Sequence, residues 1–205
     1  MAATLFYLVR HPAALAKVTA EIRSRFPDAE AIHQGPGLAS LTYLRACIDE
    51  AMRLSPSVGG LLPREVLPGG TIIDGHVIPA GIVVGTPHYT IHHNAAYYPD
   101  PFAYRPERWL DEGDVALAQS AFCPFSIGPR GCIGKGLAYI EMTITLARTL
   151  WLYDVRRAVG VRDPGEGEKG REWGRHREGE FQLVDTFTSL KDGPMVEFRR
   201  REVEA

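Results

Sequence analysis

A ten-residue loop, residues 125–134, constrains the fold of this chain more than any other feature. It reads Phe-Ser-Ile-Gly-Pro-Arg-Gly-Cys-Ile-Gly and places a single cysteine between glycines. Glycine lets the backbone take positive φ and approach a flat ligand closely, while Pro129 fixes one φ within the turn. The sequence therefore predicts a tight loop that presents one thiol, Cys132.

A long helix is predicted directly behind this loop, over residues 133–154. Apolar residues recur there at alternating steps of four and three, which indicates an amphipathic helix with one buried stripe. The stripe consists of Ile133, Leu137, Ile140, Ile144, Ala147 and Trp151. Cys132 would then lie at a helix N-terminus, where the helix dipole and free N–H groups favour the thiolate, the form that binds metals. Phe125 would keep water from the sulfur, and Arg130 could pair with a carboxylate.

The loop also has other interpretations, because a lone free cysteine is more often a small buried hydrophobe than a ligand. A phosphate-binding loop needs Gly-x4-Gly-Lys followed by Ser or Thr, but glycine follows Gly134-Lys135 and Pro129 takes the first glycine position. The dinucleotide pattern Gly-x-Gly-x-x-Gly ends on Tyr139 instead of glycine. A zinc site would need more ligands, and the three cysteines contain no Cys-x-x-Cys pair.

The loop resembles the haem-binding signature of the cytochrome P-450 superfamily, Phe-x-x-Gly-x-Arg-x-Cys-x-Gly. All five specified positions match, namely Phe125, Gly128, Arg130, Cys132 and Gly134. The resemblance implies that Cys132 is the axial thiolate ligand of a haem iron and that Arg130 contacts a haem propionate. It also implies the fold class: mainly α with a small β-sheet region, α+β, as an incomplete C-terminal portion of the cytochrome P-450 fold.

Two further segments resemble the same family. Glu50 and Arg53 form its Glu-x-x-Arg motif on a predicted helix, although an i, i+3 pair taken alone is usually a solvated surface pair. Downstream, Pro-Glu-Arg-Trp at 106–109 resembles the family segment whose arginine joins that pair. The resemblance implies a buried structural triad of Glu50, Arg53 and Arg108, which braces the core and carries out no chemistry.

Residues 61–90 are predicted to form the small β region. Asp74-Gly75 between two short β-branched runs is a strong hairpin signal. Arg64 stands where many family members place a second propionate-binding arginine, and the alternative is a surface arginine on a loop.

Three histidines, His88, His92 and His93, could suggest a metal cluster. Because the resemblance assigns the iron to Cys132, we expect helix-capping or buried, hydrogen-bonded histidines instead.

The chain is interpreted as a single partial haem-thiolate monooxygenase domain over residues 1–205. Helices are assigned to residues 5–54, a β region to 61–90, and the Pro-Glu-Arg-Trp segment with the haem loop to 102–134. A helix follows at 133–154, then a charged insertion at 156–180 and closing strands at 181–199. The insertion is rich in Gly, Arg and Glu, which predicts a solvated segment or a plain surface loop. Residues 181–187 and 195–198 are expected to pair as a β-hairpin.

Composition excludes several classes of protein. A net charge of −2 without a basic, aromatic-interleaved patch argues against nucleic-acid binding. Three scattered cysteines indicate a reducing compartment. No apolar run approaches the roughly 18 residues of a membrane span, and residues 1–10 lack the basic start of a secretion signal. By resemblance, full-length relatives lie on the cytoplasmic face of the endoplasmic reticulum membrane, held by an N-terminal anchor that this chain lacks.

The resemblance implies an iron-dependent monooxygenase that inserts one oxygen atom of O2 into an apolar organic substrate, with electrons from NADPH through a reductase partner. No catalytic residue is assigned, because the acid–threonine pair of the family's distal helix is absent; Thr4 has no acid before it. Two alternatives stay open. One is a truncated fragment without turnover, and the other is a haem-thiolate binding or sensor protein.

Overall fold

A computed structural model describes residues 1–202 of the chain. Within them, the α-helices are α1 (Ala2–Leu8), α2 (Pro12–Arg25), α3 (Pro36–Ala39), α4 (Thr42–Leu54), α5 (His88–His92), α6 (Glu112–Ser120) and α7 (Lys135–Leu152). Short 3-10 helices cover Pro106–Trp109 and Gly128–Arg130. The strands are β1 (Arg64–Glu65), β2 (Thr71–Ile73), β3 (His76–Ile78), β4 (Val83–Val84), β5 (Tyr153–Arg157), β6 (Leu183–Val184), β7 (Leu190–Lys191) and β8 (Val196–Arg200). This mixture of helices and small sheets confirms the α+β class.

The main core lies where α1, α2 and α7 pack around α4. Pro12 begins α2, since its ring fixes φ for the first turn and its missing N–H is not needed there. Val18 and Ile22 on α2 are fully buried, as are Leu44 and Ile48 on α4. Helix α4 buries ten of its 13 residues, including Glu50 and Arg53, so it is the central element of the fold. None of the helices in the described part of the chain combines the length and apolarity needed to cross a bilayer.

The sheets in the described residues are four antiparallel pairs of short strands. β2 pairs with β3 across the predicted Asp74-Gly75 turn, and both turn residues have positive φ, 48° and 76°. Two positive φ values are typical of the turn that matches strand twist in a two-residue hairpin. The predicted hairpin is therefore confirmed. β1 pairs with β4, so Arg64 lies opposite Val84.

The expected hairpin between residues 181–187 and 195–198 is wrong. β8 pairs with β5, with Val155 opposite Phe198, whereas β6 pairs with β7. β5 continues directly from α7 and buries Val155 in the core, so it offers β8 a five-residue partner already fixed to the helix. Alternation along a strand indicates which face is buried, but it does not specify the partner strand.

The apolar stripe of the helix over 133–154 is buried only in part. Of its members, Ala147 and Trp151 are buried, but Ile133 is fully exposed and Leu137 is 62% exposed. The helix itself begins at Lys135, two residues later than predicted. The stripe is therefore exposed at its N-terminal end, beside the cysteine.

The charged segment 156–180 is tied to the core rather than solvated throughout. Asp163 is buried, and Arg10 at the end of α1 donates hydrogen bonds to it at 2.8 Å and to Glu166 at 2.7 Å. A second Asp163 oxygen accepts the Gly165 N–H at 2.9 Å. The expectation of a solvated segment fails at these positions, because the partly buried Arg10 guanidinium pairs with two of its carboxylates.

Candidate functional site

The cysteine loop, residues 123–134, is closed by its own backbone. The Cys132 N–H donates to the Phe125 carbonyl at 2.8 Å, and the Gly131 N–H donates to the Gly128 carbonyl at 3.0 Å. Gly128 has φ +69°, in the left-handed region that favours glycine. These bonds fold the loop back on itself and leave the Cys132 side chain exposed.

The surroundings of Cys132 suit a flat, largely apolar ligand bound through sulfur. Ile127, Ile133 and Leu137, which lie within five residues of Cys132 in sequence, expose apolar side chains. A Cβ at Gly134 would lie 3.8 Å from the Cys132 Sγ, so glycine leaves this side of the sulfur uncovered. Cys132 stands two residues before Gly134, the N-cap of α7, whose first-turn N–H groups have no partner within the helix. One thiol with an apolar rim and a helix N-terminus behind it fits a haem iron.

Arg130 and Arg64, which the resemblance assigns to haem propionates, are both exposed. Arg64 donates to its neighbouring Pro63 carbonyl at 2.8 Å. Neither arginine forms an ion pair with any residue between 1 and 202, and the structure does not bring the two into contact. Their propionate roles stay predictions.

Glu50, Arg53 and Arg108 come together in the core and form what we call the charge cluster. Glu50 is fully buried and accepts two hydrogen bonds from Arg53, at 2.8 and 2.9 Å, and one from Arg108 at 3.0 Å. The Trp109 indole N–H and the Arg105 backbone N–H each donate to it at 3.0 Å. One carboxylate therefore receives five donors.

Arg53 also reaches beyond the charge cluster. Its guanidinium donates to the carbonyls of His92, Pro101 and Ala103 at 2.8, 2.7 and 3.1 Å. These carbonyls belong to an irregular segment with little secondary structure of its own. Arg53 thus fixes the path of the backbone that leads to the Pro106–Trp109 turn.

The cluster carries a net positive charge, because one carboxylate faces two guanidinium groups. Burial lowers the pKa of Arg108, and the Glu50 carboxylate opposes that shift. The Tyr98 ring lies 5.0 Å from the Arg53 guanidinium carbon and 6.0 Å from that of Arg108, within the range of cation–π attraction. The aromatic face thus offsets part of the excess charge.

Two contacts connect the cysteine loop to the elements around the charge cluster. The Cys123 N–H donates to the His92 Nε2 at 3.0 Å. The Phe125 ring packs on Tyr139 at 5.3 Å between centroids, and the Tyr139 hydroxyl donates to Asp49 at 2.8 Å. Burial raises the pKa of Asp49. The loop is therefore held at both Cys123 and Phe125.

The three histidines are held by hydrogen bonds, as expected. Nδ1 of His88 lies 2.9 Å from the Val58 carbonyl and that of His93 lies 2.8 Å from the Tyr89 carbonyl, while His92 bonds Cys123. Burial lowers the pKa of His92 to about 3 and that of His93 to about 4. His88 and His92 are thus buried, His93 is half-buried, and each of the three is held in place by a hydrogen bond.

The sequence interpretation missed two hydrogen bonds, that of Trp109 to Glu50 and that of His92 to Cys123. The indole of Trp109 could have been inferred, because a buried Trp N–H usually finds an acceptor and the residue lies beside Arg108. Nothing in the local pattern indicates that His92 bonds Cys123, since the two residues lie 31 positions apart in sequence.

A cavity of about 190 Å³ lies beside the cysteine loop. Its lining includes Thr4 of α1, Met52 of α4, Phe125 of the loop and Met142 of α7. Thr4 is buried at this cavity. The space is bounded by the core elements that support the loop.

Comparison with known proteins identifies the family to which this chain belongs. The family model described as Cytochrome P-450 matches residues 1–172. A cytochrome P-450 monooxygenase of Alternaria alternata is 52% identical over 209 residues, covering 98% of this chain and 40% of the relative. Relatives of the same description from Gibberella zeae and Gibberella fujikuroi are 46% and 49% identical, each over 98% of this chain and over 47% and 39% of their own lengths. The chain spans less than half the length of these three curated relatives.

Proposed function

Since this chain belongs to the cytochrome P-450 family, we propose that it forms the haem-thiolate part of a monooxygenase. The observation that carries the proposal is the exposed Cys132, presented by a self-closed loop in which all five signature positions match. A structural cysteine would be expected to lie buried, as Cys47 does.

Cys132 would bind the iron as a thiolate, with Arg130 and Arg64 directed to the two propionates. Phe125, Gly128 and Gly134 shape the loop around the sulfur. When bound, a thiolate-ligated haem activates O2, because electron donation from sulfur favours O–O cleavage.

The chain's own residues would support a bound thiolate and exclude water from it. The first-turn N–H groups of α7 have no partner within the helix, and the positive end of its dipole would complement the negative charge of a thiolate bound to iron. Ile127 and Ile133 flank the site with apolar surface that would exclude water once covered by the ligand. Low local polarity strengthens the attraction between a thiolate and a metal.

The whole protein would insert one oxygen atom of O2 into an apolar organic substrate and reduce the other to water. Electrons would come from NADPH through a reductase partner. No residue of this chain is assigned to proton delivery. The protein would act at the cytoplasmic face of the endoplasmic reticulum membrane, which fractionation of expressing cells tests.

The test is the spectrum of the reduced, carbon-monoxide-bound form of the full chain expressed with haem. We expect a red-shifted, thiolate-type Soret band that is lost in Cys132→Ser and retained in Cys123→Ser, a matched change at a half-buried cysteine. Absence of haem uptake, or a band that survives Cys132→Ser, would refute the assignment.

Turnover separates the enzyme from a sensor. With a reductase present, the monooxygenase consumes NADPH and forms an oxygenated product. Stable haem binding without NADPH consumption would instead favour the haem-thiolate sensor.

A further inference from the structure

His92 bonds two different parts of the structure from a fully buried position at the end of α5. Its backbone carbonyl accepts a hydrogen bond from Arg53 of the charge cluster at 2.8 Å. Its ring Nε2 accepts the Cys123 N–H at 3.0 Å. A single residue therefore joins the charge cluster to the first residue of the cysteine loop.

The bond to Cys123 fixes the state of the imidazole. A ring nitrogen that accepts an N–H carries no proton, so the proton of the neutral ring lies on Nδ1. Nδ1 is buried and has no hydrogen-bond partner among the described residues. A buried, unpaired donor is unfavourable, and a phenylalanine of similar shape would avoid it. The acceptor nitrogen is the feature of His92 that a purely apolar side chain could not supply.

Contacts around the ring leave it little freedom. Its centroid lies 5.5 Å from that of Phe122, the residue before Cys123, and 6.3 Å from that of Tyr98 at a right-angled, edge-on orientation. The Cys123 Sγ lies 3.7 Å from the same Nε2. The ring is thus placed against the entrance of the loop by packing as well as by the hydrogen bond.

A chain of backbone bonds leads from this entrance to the exposed thiol. The Ser126 N–H donates to the Cys123 carbonyl at 2.9 Å, and the Cys132 N–H donates to the Phe125 carbonyl at 2.8 Å. Moving Cys123 would therefore displace the residues that position Cys132.

We propose that His92 is a positioning residue for Cys132. Through its Nε2 acceptor, His92 holds the entrance of the cysteine loop against the charge cluster. Only the part of the proposal that concerns haem binding by Cys132 rests on the proposed function.

The direct test is the exchange rate of the Cys123 amide, measured by NMR on the full chain without added haem. His92→Phe keeps the ring packing and removes the acceptor, and we expect the amide to exchange roughly tenfold faster, the factor equivalent to about 1.4 kcal/mol. His92→Gln restores an acceptor near the Nε2 position and should restore protection. His93→Phe, a neighbouring histidine that does not bond the loop, is the matched control and should leave the rate unchanged.

Unchanged exchange in His92→Phe would overturn the proposal. Equal loss in the Phe and Gln variants would also overturn it, because packing and not the acceptor would then matter. If neither variant folds, histidine ¹⁵N shifts of the unaltered chain decide: an unprotonated Nε2 supports the proposal, and a protonated Nε2 overturns it.

The haem-loaded chain gives a second measurement. The share of thiolate-type Soret absorbance in the carbon monoxide complex should fall in His92→Phe and return in His92→Gln. A share that is the same in both variants and in the unaltered chain would overturn the link to Cys132. If the unaltered chain takes up no haem, the proposed function fails while the exchange result still decides the role of His92.

Discussion

Removing the charge of Glu50 should destabilise the fold more than breaking an ion pair on the surface. Glu50→Gln keeps the size of the side chain but leaves Arg53 and Arg108, both fully buried, without a counter-charge. Breaking a buried ion pair by deleting one partner costs about 3–5 kcal/mol. That is a large share of the roughly 5–15 kcal/mol that stabilise a typical protein.

Counting charges gives a second, sharper expectation. Arg108→Met leaves the Glu50–Arg53 pair neutral and still joined by two hydrogen bonds, so its cost should be clearly smaller than that of Glu50→Gln. Lys17→Met breaks an exposed ion pair with Glu107 and should cost about 0.5 kcal/mol.

The assay is urea unfolding of the full chain followed by circular dichroism, with equal slopes required for the comparison. The reasoning would be refuted if Glu50→Gln cost no more than Lys17→Met. It would also fail if Arg108→Met were as destabilising as Glu50→Gln, because the net charge left in the core would then not determine the cost.

Three further predictions concern separate features of the chain. Gly128→Ala should cost about 1–2 kcal/mol in urea unfolding, because φ is +69° there and no atom crowds the new methyl group. Gly136→Ala, which is equally uncrowded but lies within α7, should instead be neutral or stabilising. Equal losses at both sites would exclude backbone strain as the cause. Burial lowers the pKa of His92 from 6.5 to about 3, so the unfolded chain binds the extra proton and stability should fall as the pH drops from about 6.5 towards 3. His92→Gln should flatten that part of the pH–stability curve, whereas an unchanged slope would show that other groups cause it. Arg10→Met removes the partner of the buried Asp163 and should speed proteolysis between residues 157 and 180. Arg162→Met breaks an exposed ion pair in the same segment and should not. Equal cleavage rates in the two variants would show that the Arg10 ion pair does not hold the segment in place.

Local sequence patterns predicted the parts of this fold that depend on local physics. The Asp74-Gly75 hairpin follows from two residues that tolerate positive φ. The cysteine loop and the charge cluster were accessible because short motifs fix their residue types. The α+β class followed from the same resemblance.

Other parts depend on contacts between distant residues, which single-sequence patterns do not encode. β8 pairs with β5 across about forty positions, although β6 and β7 lie nearer in sequence. The charged segment 156–180 looked solvated because its composition is polar, but Arg10 satisfies its buried carboxylate from the other end of the chain. The bond between His92 and Cys123 joins the end of α5 to the cysteine loop across 31 positions in sequence.

Arg53 has a consequence for how this region can vary. All five of its N–H groups are engaged, two with Glu50 and three with the carbonyls of His92, Pro101 and Ala103. Lysine offers three donors from a single atom and could not form the five hydrogen bonds that the planar guanidinium group makes. Backbone carbonyls are the same in every amino acid, so the exposed side chains between positions 93 and 101 can change while the segment keeps its shape, whereas the buried Tyr98 cannot. Substitutions there should be tolerated where insertions and deletions are not, because only a change in length would carry a carbonyl out of reach of the guanidinium group.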